Sequence, residues 1–114
     1  MAKPVVALMY DFDKTLCTRD MQEFTFIPSL GMKVEEFWAE ASVLAKEQNM
    51  DNMLAYMYLM LRKARENNIR VTRDAFVKLG EGIEYYPGVE DWFSRMNAFG
   101  QEQGVAVEHY VISS

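Results

Sequence analysis

The chain has 114 residues, of which 50% are hydrophobic and 25% are charged. This composition is typical of a globular chain of about one domain. Acidic residues number 17 against 12 basic ones, which gives a net charge of −5. Because nucleic-acid-binding proteins present basic surfaces to phosphates, we expect no nucleic-acid partner.

The sequence contains no signal for a membrane or for export. No apolar run approaches the ~18 residues that a membrane-spanning helix needs, and Met1–Pro4 leads directly into an apolar segment without a signal-peptide pattern. Cys17 is the single cysteine and has no partner for an internal disulfide, which suits a reducing compartment. We therefore expect a cytoplasmic protein with no membrane partner.

The most informative segment is the first apolar run and the acidic pair behind it. Residues 5–8 are Val-Val-Ala-Leu, which predicts a buried strand, and Asp11 and Asp13 follow where that strand ends. In open parallel sheets, chemistry collects outside the carboxyl ends of strands. Strand alternation directs both carboxylates to the same side, where they can share a cation or act as nucleophile and acid/base. The alternative is a solvated turn or a helix N-cap, for which Asp13 and Thr15 are suitable.

The middle of the chain predicts helices. Apolar residues recur at helical spacing over residues 33–48, and Asp51 can cap a second helix at about 52–66. Thr72 can cap a third, short helix that Gly80 ends and that has Phe76 on its inner side. The second helix has an unusually broad apolar surface rich in Met and Tyr. We expect it to be buried between other helices, with a partner surface as the alternative.

The last part of the chain returns to an α/β pattern. A Pro-Gly turn within residues 85–89 precedes a helix predicted at about 89–99 and ended by Gly100. A strand is predicted at 105–112, closed by two serines. The two strands and this helix form one β–α–β crossover, which we expect to be parallel and right-handed. The predicted fold class is therefore α/β, with a long helical insertion.

The pattern of residues 5–15, an apolar run followed by Asp-x-Asp-x-Thr, resembles motif I of the haloacid dehalogenase superfamily. The resemblance implies that Asp11 is the nucleophile and a Mg²⁺ ligand. It implies that Asp13 is the general acid/base and also contributes its backbone carbonyl to Mg²⁺. Thr15 would support the loop and the phosphate site. The strand that ends in serine resembles motif II, in which Ser113 would bind the phosphoryl group with the Ser114 amide nearby.

This resemblance implies a Mg²⁺-dependent phosphatase that acts on a small phosphorylated metabolite through an aspartyl-phosphate. A carboxylate attacks a phosphate dianion poorly unless a cation reduces their repulsion. The second carboxyl group must hold a proton near neutral pH, which a neighbouring like charge favours. Asp13 also separates the chain from P-type ATPases and dehalogenases, which lack an acid/base Asp at that position. A phosphomutase of the same superfamily is the nearest alternative.

The same resemblance divides the chain into two parts. Residues 1–17 and 85–114 would form a partial, Rossmann-like α/β core, and residues 18–84 would form a helical C1-type cap similar to that of phosphoserine phosphatase-like members. Such caps exclude water and carry much of the substrate selectivity. Arg19 and Gln22 are the selectivity candidates, although a solvated loop would explain them equally well.

The superfamily has two further motifs, a Lys or Arg and an acidic pair, which normally follow motif II. The resemblance therefore covers the N-terminal portion of a family member, and we expect little or no phosphatase activity from these 114 residues alone. An unpaired sheet edge would also favour self-association. From a different class, the chain could be a non-catalytic helical interaction module that uses the Met-rich helix at 52–66.

Overall fold

The computed structural model describes residues 2–113 and shows a mixed α/β chain. One compact unit comprises the residues up to Asp20 together with those from Glu84 onwards, and the other comprises Met21–Ile83. We call them the sheet unit and the helical unit. Among the described residues, no helix has the length and apolar character needed to cross a bilayer. The elements are β1 Val5–Tyr10, α1 Phe26–Ser29, α2 Val34–Glu47, α3 Asn52–Glu66, α4 Arg73–Leu79, α5 Val89–Glu102 and β2 Ala106–Val111, with 3₁₀ turns at Met21–Glu23 and Gly80–Gly82.

The sheet unit is built on two parallel strands joined through α5. The strands pair in register from Val5 opposite Ala106 to Tyr10 opposite Val111, so the predicted parallel pairing is confirmed. Gly88 immediately precedes α5 and has a φ of 90°, a left-handed conformation that glycine adopts without a Cβ clash. Because the two strands are parallel and paired along their whole length, they end side by side at one edge of the sheet.

Helix α5 is longer than predicted because Gly100 does not end it. The helix continues to Glu102, and Gly100 is buried within its last turn. A Cβ at this position would collide with the side chain of Val107 on β2. The glycine therefore serves close packing between helix and strand, and the prediction of a helix stop was wrong.

The sheet is covered on one face only. Tyr10 and His109 pack against Phe93 of α5, with ring centroids 5.6 and 5.0 Å apart. On the opposite face Val5 is 56% exposed, and Ala7 is exposed as well. The prediction of a buried first strand was therefore wrong for these side chains, because one helix beside two strands leaves the other sheet face open.

The helical unit has the larger apolar core. Helices α2 and α3 pack together, and the fully buried Phe37 contributes about 1.5–3 kcal/mol through its burial. The predicted caps are confirmed: the Asp51 side chain accepts from the Met53 amide at 2.8 Å, and Thr72 accepts from the Ala75 amide at 3.2 Å. The buried cluster consists of Phe26, Ile27, Leu30, Phe37, Ala41, Leu59 and Ala64.

Helix α3 is buried along one side and exposed along the other. Its buried residues are Ala55, Leu59 and Ala64. We expected α3 to be buried between other helices, and this expectation was wrong for the side that is exposed. Similarly, Phe76 of α4 was expected inside but is 39% exposed. The exposed apolar residues of α3 are Met53, Leu54, Met57, Tyr58 and Leu61.

Candidate functional site

The loop after β1 is a tight turn closed by its own backbone. The carbonyl of Phe12 accepts hydrogen bonds from the amides of Thr15 and Leu16 at 3.1 and 3.0 Å, and from the Cys17 amide at 3.4 Å. Lys14 takes up a left-handed conformation with φ of 60° at the middle of this turn. Three donors on one carbonyl hold the loop compact, so the acidic residues in it occupy defined positions.

Asp11 stands directly after β1 with an exposed carboxylate. Its Oδ1 accepts from the Phe12 amide at 2.9 Å, and its Oδ2 accepts from the Thr15 hydroxyl at 3.4 Å. Because an ionised carboxylate has about four lone-pair sites, each oxygen can still accept from or ligate another group. The contacts therefore orient the Asp11 carboxylate and leave it available to an incoming molecule.

Asp13 lies at the first position of the turn and is half-buried. It shares the loop with Asp11, and both residues follow the end of β1 at Tyr10. That the two carboxylates face the same side stays a prediction. Lys14 directs its ammonium group towards Asp20, 3.4 Å away, with 65% of the lysine side chain exposed. The loop thus contains two acids and one basic side chain that is already paired.

The ends of the two strands form a shallow cleft of about 400 Å³. It brings Asp11 together with Ser113, which follows β2. The hydrogen bond of 2.7 Å from the Ile112 amide to the Tyr10 carbonyl continues the strand pairing to this edge. Ser114 lies outside the described residues. The cleft is lined by Met9, Tyr10, Asp11, Ile112 and Ser113.

A chain of side-chain hydrogen bonds fixes the end of β1 and was missed at the sequence level. Trp92 Nε1 donates to the Tyr10 hydroxyl at 2.9 Å, and that hydroxyl lies 2.8 Å from His109 Nδ1. His109 Nε2 lies 2.8 Å from Asn97 Oδ1. In the tautomer with the proton on Nε2, His109 accepts from the Tyr10 hydroxyl and donates to Asn97 Oδ1. The network anchors the residue that immediately precedes Asp11 to both α5 and β2.

Cys17 closes the far end of the loop as a structural thiol. It is fully buried, and its Sγ donates to the Arg19 carbonyl at 3.0 Å. The amide of Thr18 donates to the Glu84 carbonyl at 3.0 Å, and the amide of Tyr86 donates to the Leu16 carbonyl at 3.1 Å. These bonds join the exit of the acidic loop to the segment that leads into α5.

The two selectivity candidates have different surroundings. Arg19 is exposed in the sheet unit, immediately after the acidic loop. Gln22 belongs to the helical unit and is only 6% exposed. A solvated-loop explanation therefore fits the exposure of Arg19 but not that of Gln22.

Comparison with models of known protein families, with curated proteins and with solved structures found no match for this chain. The loop at residues 11–17 and Ser113 are therefore the features that indicate a function. Within residues 2–113, His, Cys, Asp and Glu side chains form no group of three or more that could hold a metal ion. A cation at this edge would need oxygen ligands beyond the protein side chains described.

Proposed function

We propose that the chain carries the nucleophile and the acid/base of a Mg²⁺-dependent phosphatase of the haloacid dehalogenase superfamily. One observation supports this most strongly: Asp11 is exposed at the carboxyl end of a parallel strand, oriented by two donors, and lines one cleft with Ser113. Chemistry in open parallel sheets is concentrated at this edge. In this proposal the sheet unit is part of a Rossmann-like core, and the helical unit is an inserted C1-type cap.

The reaction begins with Asp11 as the nucleophile towards phosphorus. A bond forms between an Asp11 carboxylate oxygen and phosphorus, and the bond from phosphorus to the ester oxygen breaks. Asp13 gives its proton to that departing oxygen. Asp13 then accepts a proton from water, the water oxygen attacks phosphorus, and the bond to Asp11 breaks to release inorganic phosphate.

The phosphoryl group needs donors as well as a nucleophile. The Ser113 hydroxyl can donate to a phosphoryl oxygen, because it lies in the same cleft as Asp11. Thr15 acts on the nucleophile instead, since its hydroxyl donates to Asp11 Oδ2. Thr15 therefore positions the carboxylate, and the phosphate-binding role falls to Ser113 and, through the resemblance, to the Ser114 amide.

The donor set suits Mg²⁺. This ion usually binds one or two carboxylates together with water and phosphate oxygens, and rarely an all-protein cage. The Asp11 carboxylate and the Asp13 backbone carbonyl would supply the protein oxygens. When bound, the ion lowers the repulsion between the Asp11 carboxylate and the phosphate dianion.

Manganese binding tests the metal part of this proposal without turnover. Paramagnetic Mn²⁺, a substitute for Mg²⁺, should broaden the NMR signals of residues 11–15 and Ser113 first. Asp11→Asn should weaken this effect by at least about tenfold. The control Asp91→Asn changes an exposed carboxylate of α5 in the same unit and should leave the effect unchanged. Equal broadening in wild type and Asp11→Asn would remove Asp11 from the metal site.

A second candidate function is supported by the exposed side of α3. Five large apolar side chains lie there at spacings of one, four, five and eight residues from Met53, which places them on one helix face. A non-catalytic interaction module would use this Met-rich face for adaptable contacts. Replacing Leu54 and Leu61 by Lys should then abolish association measured by sedimentation, and Mn²⁺ would show no preference for Asp11.

A further inference from the structure

Helix α3 presents one apolar face to solvent. Its side chains are each 46–56% exposed, whereas large apolar side chains are usually buried or scattered singly over a surface. Two such faces in contact would bury on the order of 1,000 Å² in all, which is near the lower limit of specific protein interfaces. The face is therefore large enough to hold a partner, although weakly. It consists of Met53, Leu54, Met57, Tyr58 and Leu61.

The charged residues beside this face are of two kinds. Arg62 and Lys63 both pair with Glu40 of α2, at 3.0 and 3.3 Å, so their charges are already compensated. Asp51 and Arg65 are exposed and form no ion pair with any residue that the structure describes. Asp51 caps α3 with one carboxylate oxygen, Oδ1, and its other oxygen can still accept from a further group.

These two charges lie symmetrically about the centre of the face. Asp51 lies seven residues before Tyr58, and Arg65 lies seven residues after it. Because seven residues are close to two helical turns, the three positions share one side of the helix, about 10 Å apart along its axis. Leu54 and Leu61 lie four residues before and three residues after Tyr58. The face therefore has a similar apolar pattern in both directions and opposite charges at its two ends.

Opposite charges at the two ends favour one orientation for a pair of such faces. In a parallel pair, each Asp51 would lie near the Asp51 of the other copy, and the two Arg65 side chains would also repel each other. In an antiparallel pair, Asp51 of each copy faces Arg65 of the other, so both ends attract. The dipoles of the two helices also oppose each other in this arrangement. The face is thus complementary to itself in the antiparallel orientation.

We propose that α3 binds α3 of a second copy of this chain, antiparallel and about a twofold axis near Tyr58. In such an isologous interface every contact occurs twice: Leu54 of each copy lies beside Leu61 of the other, and Asp51 beside Arg65. The proposal names the partner for the face on which the second candidate function rests. It uses no residue of the acidic loop, so it can hold or fail independently of the phosphatase proposal.

Sedimentation equilibrium of the whole chain tests whether this face self-associates. The wild type should form a reversible dimer between micromolar and millimolar concentration. Leu61→Lys should weaken the dimer by at least about tenfold, since it places an uncompensated charge in the interface. Val77→Lys, an exposed change on α4, and Val5→Lys, on the sheet, should leave it unchanged. The sheet variant also tests association through the unpaired sheet edge, which a lysine would block.

Arg65→Glu tests the charge pairing and leaves the apolar contacts in place. It puts a carboxylate opposite Asp51 at both ends of the interface and should weaken the dimer by about tenfold. Asp51→Asn removes the opposing charge but keeps the helix cap, since Asn caps as well as Asp. Adding it to Arg65→Glu should therefore restore most of the lost affinity. Arg70→Glu makes the same charge change at an exposed residue outside α3 and should have little effect.

Paramagnetic broadening measures the orientation of the two helices. An unlabelled Glu66→Cys chain carrying a nitroxide is mixed with wild-type chain that is isotopically labelled at its methionine methyl groups. Cys17 is fully buried, so the nitroxide attaches to the new thiol. Met53 should broaden more than Met60, because antiparallel pairing brings residue 66 close to the start of the other α3. A parallel pair would give the opposite order.

Four results would overturn the proposal. These are a wild type that stays monomeric up to millimolar concentration, a dimer that Val5→Lys abolishes and Leu61→Lys does not, equal effects of Arg65→Glu and Arg70→Glu, and stronger broadening of Met60 than of Met53. A monomeric chain in which Mn²⁺ still depends on Asp11 would refute the pairing and leave the phosphatase proposal intact.

Discussion

The helical unit and the sheet unit differ in what holds them together and in what they offer to other molecules. The helical unit is organised around buried apolar side chains such as Phe37 and Leu59. The sheet unit buries little of its strands and depends on hydrogen bonds around Tyr10 and the acidic loop. The candidate catalytic residues lie in the less buried unit. The buried core and the candidate catalytic residues are thus in different parts of this chain, and its local stability should be uneven.

The substitution with the largest expected effect destabilises the helical unit selectively. Phe37→Ala removes a fully buried ring from the core and should lower the free energy of unfolding of this unit by about 3–5 kcal/mol. Hydrogen exchange should accelerate in α2 and α3, while the amides of β1 and β2 change little. Phe99→Ala is the matched control, since Phe99 is 55% exposed on α5. Equal acceleration in both units would show that they unfold together.

A second substitution tests the packing of the sheet unit. Gly100→Ala places a methyl group against the Val107 side chain and 3.3 Å from the Val105 carbonyl. Although Ala favours helices by about 1 kcal/mol over Gly, overpacking should dominate and cost about 1–3 kcal/mol.

Gly80→Ala provides the control for that experiment. Nothing lies within 4 Å of the Cβ it would add, and Gly80 has a φ of −64°. This change should therefore be neutral or slightly stabilising. Thermal unfolding measures both variants, and a stabilised Gly100→Ala would contradict the close contact between α5 and β2.

The smallest expected effect concerns the exposed face of β2. The hydrogen bond of 2.6 Å from Tyr110 to Glu108, followed by the charge of that carboxylate, raises the pKa of Tyr110 above its usual 10.0. The folded chain favours the neutral phenol. The contribution of Tyr110 to the stability of the folded chain is therefore present below about pH 10 and is lost as the pH rises through the folded-state pKa.

NMR titration of labelled tyrosine measures this shift. Glu108→Gln should lower the pKa of Tyr110 towards its usual value, since both the charge and the strong acceptor are removed. Glu90→Gln, an exposed change on α5, should leave the titration of Tyr110 unchanged. A pKa that stays raised in Glu108→Gln would assign the shift to another cause.

Local chemistry explains which parts of the fold were predictable from the sequence. The caps at Asp51 and Thr72 and the parallel strands followed from capping residues and short-range patterns, and the structure confirms them. The burial of β1 and the role of Gly100 could not be predicted in this way. Both depend on what packs against the element, and that information lies far away in the sequence.

The candidate site was likewise predictable from the sequence only in part. Asp11 and Asp13 stand out by spacing alone, and the structure places Asp11 and Ser113 in one cleft. The catalytic roles of Asp11 and Asp13 and the phosphate-binding role of Ser113 stay predictions. The Tyr10–His109 contact joins residues 99 positions apart, so no local pattern could indicate it.

Trapping the covalent intermediate tests the central claim most directly. The chain is incubated with Mg²⁺ and p-nitrophenyl phosphate, quenched, treated with borohydride to reduce an acyl phosphate, and analysed by peptide mass spectrometry. This ester has a good leaving group, so the first step needs little help from a general acid. Trapping detects this single step, which can leave a covalent intermediate even though we expect little or no turnover from these 114 residues alone. We predict modification of Asp11 in the wild-type chain and its accumulation in Asp13→Asn, in which water attack is slowed. The modification should be absent in Asp11→Asn and unchanged in Asp91→Asn. Absence of modified Asp11 in both the wild type and Asp13→Asn, or persistence of the modification in Asp11→Asn, would contradict the assignment of the nucleophile.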